Sequence, residues 1–321
     1  MNREQLDRSG VTAQLEAVTV FYGEVVGLSK VDMELRPGIT GIVGPNGSGK
    51  TTMMRALVGL MGPVEGWVTV LGRSPFADAG VRSRITFVPA TESFHPALSA
   101  RRNLEVGFMA QGRDRRAARD LAQRGLELVD LVEDAGRRYD TWSRGMRQRL
   151  KLGLALAGDS EVVLLDEPFL GVDPPNRKAL REHVLSLGRA GRTVLVSSHV
   201  LHDVSVLTEF VGILDHGRLL GFGNVRTLVR KIRDDQPHRV VLHVDEPRKL
   251  GQALLDLPHV HEIKMVGRET LEFVTVQPEL AYRELPGLVV KSGVAVYRVE
   301  SPDHSLETVF SRVTEVGSRR L

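Results

Sequence analysis

Between Val11 and Gly72 apolar and polar positions alternate in short runs, as in QLEAVTVFYG, VDMELRPG, ITGIVGPNG and GWVTVLG, each closed by glycine, proline or asparagine. A period of two interrupted by turn residues predicts short strands. One helix breaks this pattern after Gly49, carrying Met53, Met54, Leu57 and Leu60. From Ala100 to Ala157 the chain is rich in Arg, Leu and Ala in long stretches, which predicts helices. EVVLLDE (161–167) and RTVLVSSH (192–199) then form continuous apolar, branched runs, separated by a charged helical stretch from Pro175 to Arg189. Runs without alternation are buried on both faces, as parallel strands of a βαβ unit are. The expected core is therefore α/β with a helical insertion at about 90–160.

After Ile232 the polar connector RDDQPH opens a second pattern. Strand-like RVVLHVD, helical EPRKLGQALLDLP, strand-like EIKMVG and TLEFVTV, a short helix near Glu279 to Glu284, strand-like VAVYRVE and a last helix from Leu306 follow in order. The order βαββαβ predicts a small α+β domain of ferredoxin-like arrangement. The expected domains are 11–232 and 238–321.

Composition narrows the classes. Hydrophobic residues make up 42% of 321 positions, enough for a sizeable core, and there is no cysteine, so disulfides and thiolate metal sites are excluded. The start MNREQLDRSGVTAQ lacks an apolar signal core, and runs such as VVLL are far shorter than the ~18 residues that span a bilayer, so the chain alone is expected to be soluble. Basic clusters GRDRRAARD (112–120) and RTLVRKIR (226–233) read as solvated helix faces or as a nucleic-acid surface. With 43 basic against 40 acidic residues and 5% aromatics, the solvated reading is preferred.

The first chemical signal is GPNGSGKT, Gly44 to Thr51, which fits G-x-x-x-x-G-K-[ST] directly after a predicted strand and before a predicted helix. Glycines let backbone N–H groups turn inward around phosphate, Lys50 adds a cation, and the Thr51 hydroxyl can ligate magnesium. The second is VVLLDE, a buried strand that delivers Asp166 and Glu167 at its C-terminal end, where ligands of open α/β sheets bind. Beside a phosphate loop, Asp166 would hold magnesium through water and Glu167 would polarise an attacking water. His199 ends the next strand and is either a polar strand terminus or a third group at the same phosphate. Ser143 opens a helix without Glu or Gln three residues on, since Met146 stands there, so it reads as an ordinary N-cap or as an anion-binding turn.

GPNGSGKTT, SRGMRQRL, LLDEPFLGVDP and VSSH, in this order and spacing, resemble the nucleotide-binding subunit of ATP-binding cassette (ABC) transporters over roughly Gln14 to Val229. The resemblance implies a P-loop NTPase core of ABC-ATPase type with ATP and Mg2+ as cofactors. It assigns phosphate binding to Gly44, Pro45, Asn46, Gly47, Ser48, Gly49, Lys50, Thr51 and Thr52, and magnesium to Thr51 and Asp166. Glu167 and His199 become the catalytic pair. Tyr22 resembles the aromatic that stacks on adenine, though strand packing also accounts for it. Asp173 resembles the D-loop acid, and Ser143 with Gly145 the signature turn that binds ATP held by an opposite subunit.

Two positions depart from the family. Arg144 replaces the first signature glycine and is more easily accommodated with a negative φ. Ala90 replaces the glutamine expected after Val-Pro and cannot ligate magnesium or position water; Glu92 is the candidate substitute. HSLETVFSRVTE (304–315) resembles the closing helix of daunorubicin-exporter-like ATPases, although Leu306, Val309, Phe310 and Val313 also make an ordinary amphipathic helix. This branch implies a homodimer or heterodimer on a separate multi-helix membrane permease, at the inner face of the cell membrane on the cytoplasmic side, with nucleic acid not expected. In TESFHPALSARRNL (91–104), Phe94 and Leu98 are either anchors for that subunit or part of the chain's own core. Other readings are a soluble ABC ATPase acting on nucleic acid or ribosomes, and a hydrolysis-impaired regulatory subunit.

Overall fold

The computed structural model describes residues 10–91, 94–225, 227–228 and 238–301. Glu92, most of the 226–233 cluster and the helix expected at 304–315 lie outside the described residues. The chain divides into two compact units, Met1–Val225 and Arg226–Leu321.

In the first unit the elements run β1 (Ala13–Tyr22), β2 (Val25–Leu35), β3 (Gly38–Val43), α1 (Lys50–Leu57), β4 (Glu65–Val70), α2 (Ala79–Arg82), β5 (Ile85–Val88), α3 (Ala100–Ala110), α4 (Arg115–Leu128), α5 (Arg144–Ala157), β6 (Val162–Leu165), α6 (Pro174–Arg189), β7 (Thr193–Ser198), α7 (Leu201–Ser205), β8 (Phe210–Asp215) and β9 (Arg218–Asn224). Six strands form one sheet in the order β5-β6-β7-β3-β8-β9, and β2-β1-β4 form a second. All neighbours in the first sheet are parallel except the β8–β9 hairpin.

The unalternating runs are buried on both faces for a visible reason. Val163 and Leu165 of β6 join Val194 and Val196 of β7 in a core with Leu104, Phe108 and Leu126 from the helices. Val162 and Leu164 join the opposite core, with Met53, Met54 and Leu57 of α1 and the strands of the small sheet. Every residue of β6 is buried. The strand is thus fixed in depth and register, which places its next two residues, Asp166 and Glu167, at the sheet's C-terminal edge.

The second unit runs β10 (His238–Val244), α8 (Pro247–Leu255), β11 (Val260–Val266), β12 (Thr270–Thr275), α9 (Pro278–Ser292) and β13 (Val296–Glu300). Its antiparallel sheet has the order β11-β12-β10-β13. The helix expected to be short extends to Ser292 despite Pro286 in its interior. An interior proline costs about 3 kcal/mol or more. Burial of Ala281 and Leu285, with Leu288 and Val289 packed on the same core, offsets it. The β8–β9 hairpin adds two mutually antiparallel strands to those the hydrophobic pattern predicts.

Candidate nucleotide-binding site

The loop 44–49 leaves central strand β3 and enters α1. Glycine is required by contact at Gly44, where a Cβ would fall 2.2 Å from the Leu214 carbonyl oxygen and 2.4 Å from Ser48 Oγ. At Gly49 both conformation and space demand it: φ is +107°, and a Cβ would lie 2.5 Å from the Gly27 carbonyl oxygen. Gly49 is the N-cap of α1 and supplies no side-chain cap, so the first-turn N–H groups keep their donors for an anion. Ser48 Oγ, buried in the same loop, has no hydrogen-bond partner among the described residues. Lys50 is buried, its Nζ donating to the carbonyls of Gly44 at 2.7 Å and Pro45 at 3.1 Å.

At the end of β6 the two acids are held differently. Asp166 accepts from Thr51 Oγ1 at 2.7 Å and from Ser197 Oγ at 2.6 Å. The same Ser197 hydroxyl accepts the Glu167 backbone N–H at 2.9 Å. Glu167 takes the left-handed backbone, with φ of +50°. Its carboxylate lies between two basic groups, Oε1 3.4 Å from Lys50 Nζ and Oε2 2.9 Å from His199 Nδ1. Only 11% of the Glu167 side chain is exposed, against 38% of the His199 ring, so the imidazole connects a buried carboxylate with solvent.

These groups line one cavity of about 500 Å³, bordered also by Tyr22, Val25 and Val26 and by Ala90. Tyr22 projects 40% exposed from the tip of β1, its hydroxyl bonded to Thr52 Oγ1 at 3.3 Å and Arg55 Nη1 at 3.2 Å. Asn46, Gly47, Ser48, Gly49, Lys50, Thr51 and Thr52 border the same space.

Ser143, Gly145 and Asp173 are absent from this lining and form a second group. Ser143 caps α5, its Oγ accepting from Met146 N at 3.3 Å. Asp173 caps α6 in backbone position only, and its carboxylate accepts from Asn176 Nδ2 at 2.8 and 3.1 Å. A Cβ on Gly145 would stand 3.8 Å from that carboxylate. Arg144 lies inside α5, outside the positive-φ residues, and its guanidinium rests against Gly171.

Phe94 is half-buried and packs edge-on against Tyr139, with ring centroids 5.5 Å apart, as part of the helical core. The contact favours its own-core reading. Ser197, Gln148 and Lys151 are further polar residues at the site that motif spacing does not single out. The signal for the last two was present: polar residues on the buried face of a predicted helix.

A glycine-rich phosphate loop between β3 and α1, facing an acid-ended strand of a mainly parallel sheet, defines a P-loop nucleoside triphosphatase. Residues 28–170 match the family described as ABC transporter. The linearmycin resistance ATP-binding protein LnrL of Bacillus subtilis is 32% identical over 94% of this chain and 97% of its own length. The daunorubicin resistance ATP-binding protein DrrA3 of Streptomyces coeruleorubidus is 33% identical, over 74% of this chain and 75% of its own. A solved dimeric bacterial ABC transporter cassette superposes with a TM-score of 0.61 at 25% identity, covering 66% of this chain and 98% of that one. The chain belongs to the ABC transporter ATP-binding family, which makes it an ATP-binding ATPase.

Proposed function

We propose that the chain is the ATP-hydrolysing subunit of an exporter and drives a separate membrane permease through ATP-dependent pairing of two ATPase subunits. The observation that carries this is the set Lys50–Glu167–His199 beside the phosphate loop. Lys50 neutralises the outer phosphates, Glu167 takes the proton of the attacking water, and His199 orients the carboxylate and reaches the γ-phosphate. Tyr22 and the exposed Val25 and Val26 offer an apolar lip for the base.

The Thr51 hydroxyl and the Asp166 carboxylate, 2.7 Å apart, fit Mg2+, which takes one or two protein oxygens and fills its other positions with phosphate and water. Among the described residues no group of three or more His, Cys, Asp or Glu forms a metal site, so an all-protein cage is not on offer. When bound, the ion would neutralise charge between the β- and γ-phosphates.

Ser143 is exposed at the start of α5, and capping by its side chain leaves the N–H groups of Arg144 and Gly145 for an anion. We assign them, with Asp173, to ATP held on a second subunit. The relatives' names, resistance ATP-binding proteins, support export rather than action on nucleic acid, and a place at the cytoplasmic face of the membrane belongs to the proposal. Among the described residues no helix is long and apolar enough to cross a membrane, and the transport path is assigned to the permease.

Glu167→Gln removes the base, a loss of ~10²–10⁴ in rate. This variant is expected to accumulate as an ATP-bound dimer in size-exclusion chromatography. Adding Ser143→Arg is expected to abolish the dimer while ATP affinity of the separate subunit is kept. A double variant that dimerises fully would reduce the Ser143 turn to a helix cap.

A further inference from the structure

Lys151 lies two turns into α5 and is only 3% exposed. Burying an ammonium is costly unless its donors are satisfied. Here Nζ donates to the Thr91 carbonyl at 2.8 Å, Pro89 at 3.3 Å and Ala90 at 3.4 Å. A lysine has three donors, and this one gathers three successive carbonyls of a single strap.

That strap is part of the ATP site. It follows β5, whose last residue Val88 accepts the Asp166 N–H at 2.9 Å, and its Ala90 lines the cavity shared by Lys50, Glu167 and His199. Ala90 brings no polar side-chain atom, so this wall contributes through the position of its backbone. On the same face of α5, three residues earlier, the buried Gln148 donates Nε2 to the carbonyls of Pro168 at 3.2 Å and Glu167 at 3.5 Å. One helix thus grips the main chain after β5 with Lys151 and the main chain after β6 with Gln148.

We propose that Lys151 is a positioning residue for ATP hydrolysis: its buried ammonium clamps Pro89–Thr91 to α5 and, with Gln148, fixes the catalytic end of the pocket to the helix that begins at Ser143. The proposal rests on the reading of this cavity as the ATP site. Its consequence is a split between binding and turnover. The phosphate loop is built from β3 and α1 and grips ATP without Lys151. The geometry around the attacking water depends on the main chain on either side, where a displacement of ~1 Å can cost 10²-fold in rate.

The test compares Lys151→Met and Lys151→Arg in the full chain, measuring ATP affinity by equilibrium binding and kcat per ATP-binding site. Lys151→Met is expected to keep affinity within about twofold and to lose ~10- to 100-fold in kcat. Lys151→Arg, which keeps a fan of donors, is expected to recover most of that loss. A part played only in stability would lower the melting temperature and the number of competent sites but not kcat per site. Wild-type kcat per site in Lys151→Met would therefore overturn the proposal, as would a loss of affinity as large as the loss of kcat. If Lys151→Met does not fold, Gln148→Met decides, with the same split expected and the same results against it. Lys50→Ala separates the two readings: unchanged ATP affinity there would remove the site assignment itself, whatever Lys151 does.

Discussion

Ser197 ties the two acids at the end of β6 together through one hydroxyl, which accepts the Glu167 N–H and donates to Asp166. It is completely buried. Ser197→Ala leaves that N–H without its acceptor, at a cost of about 1–3 kcal/mol. It also frees a residue in the left-handed region, a conformation that costs a non-glycine residue about 1–2 kcal/mol. The expected result is a lower melting temperature with kcat reduced by about tenfold, since Glu167 is no longer aimed. Steady-state ATPase assays beside thermal melts check this; unchanged kcat would make Ser197 a packing residue. Lys50, Thr51, Asp166, Glu167 and His199 were legible in the sequence because each sits at a fixed offset from the end of its own strand or loop. Ser197 was not, because its role depends on β6 and β7 lying side by side in register, Leu165 against Val196, and no local spacing encodes that pairing. The left-handed Glu167 backbone was likewise invisible.

At the level of elements, β3 and α7 meet at a single missing side chain. A Cβ on Gly41 would fall 1.8 Å from Val204 Cγ1, so the short helix after His199 packs directly on the strand that feeds the phosphate loop. Gly41→Ala is expected to push α7 outward, destabilising by about 1–3 kcal/mol through overpacking and lowering kcat by moving His199. Adding Val204→Ala returns the volume and is expected to recover most of both losses. Denaturant unfolding and ATPase rates of the single and double variants report this, and a double variant no better than the single would argue against the contact. The strands β6 and β7 could be read in advance because burial on both faces leaves unbroken apolar runs. The length of α9 could not, because Pro286 is a local stop signal that tertiary burial overrides. Phe94 shows the same limit: an apolar residue in a polar stretch marks a contact, and only the fold shows Tyr139 as its partner.

For the whole molecule, the nearly balanced charge gave little guidance about partners, while the two changes of pattern along the chain carried much of the architecture. The likeness to LnrL runs over 94% of the chain and so extends into the second unit. That unit closes an apolar core of its own, in which Val240, Leu242, Leu271 and Phe273 of the sheet meet Leu250 and Leu254 of α8 and Leu285 of α9. In calorimetric terms a separate core is a separate source of unfolding enthalpy and heat capacity. Differential scanning calorimetry is expected to resolve two endotherms. ADP at a hundred times its Kd stabilises only the structure that binds it, by about 2.7 kcal/mol. The larger endotherm is therefore expected to move up with nucleotide while the smaller stays in place. A single endotherm that shifts as a whole would show that the ligand's free energy reaches both cores.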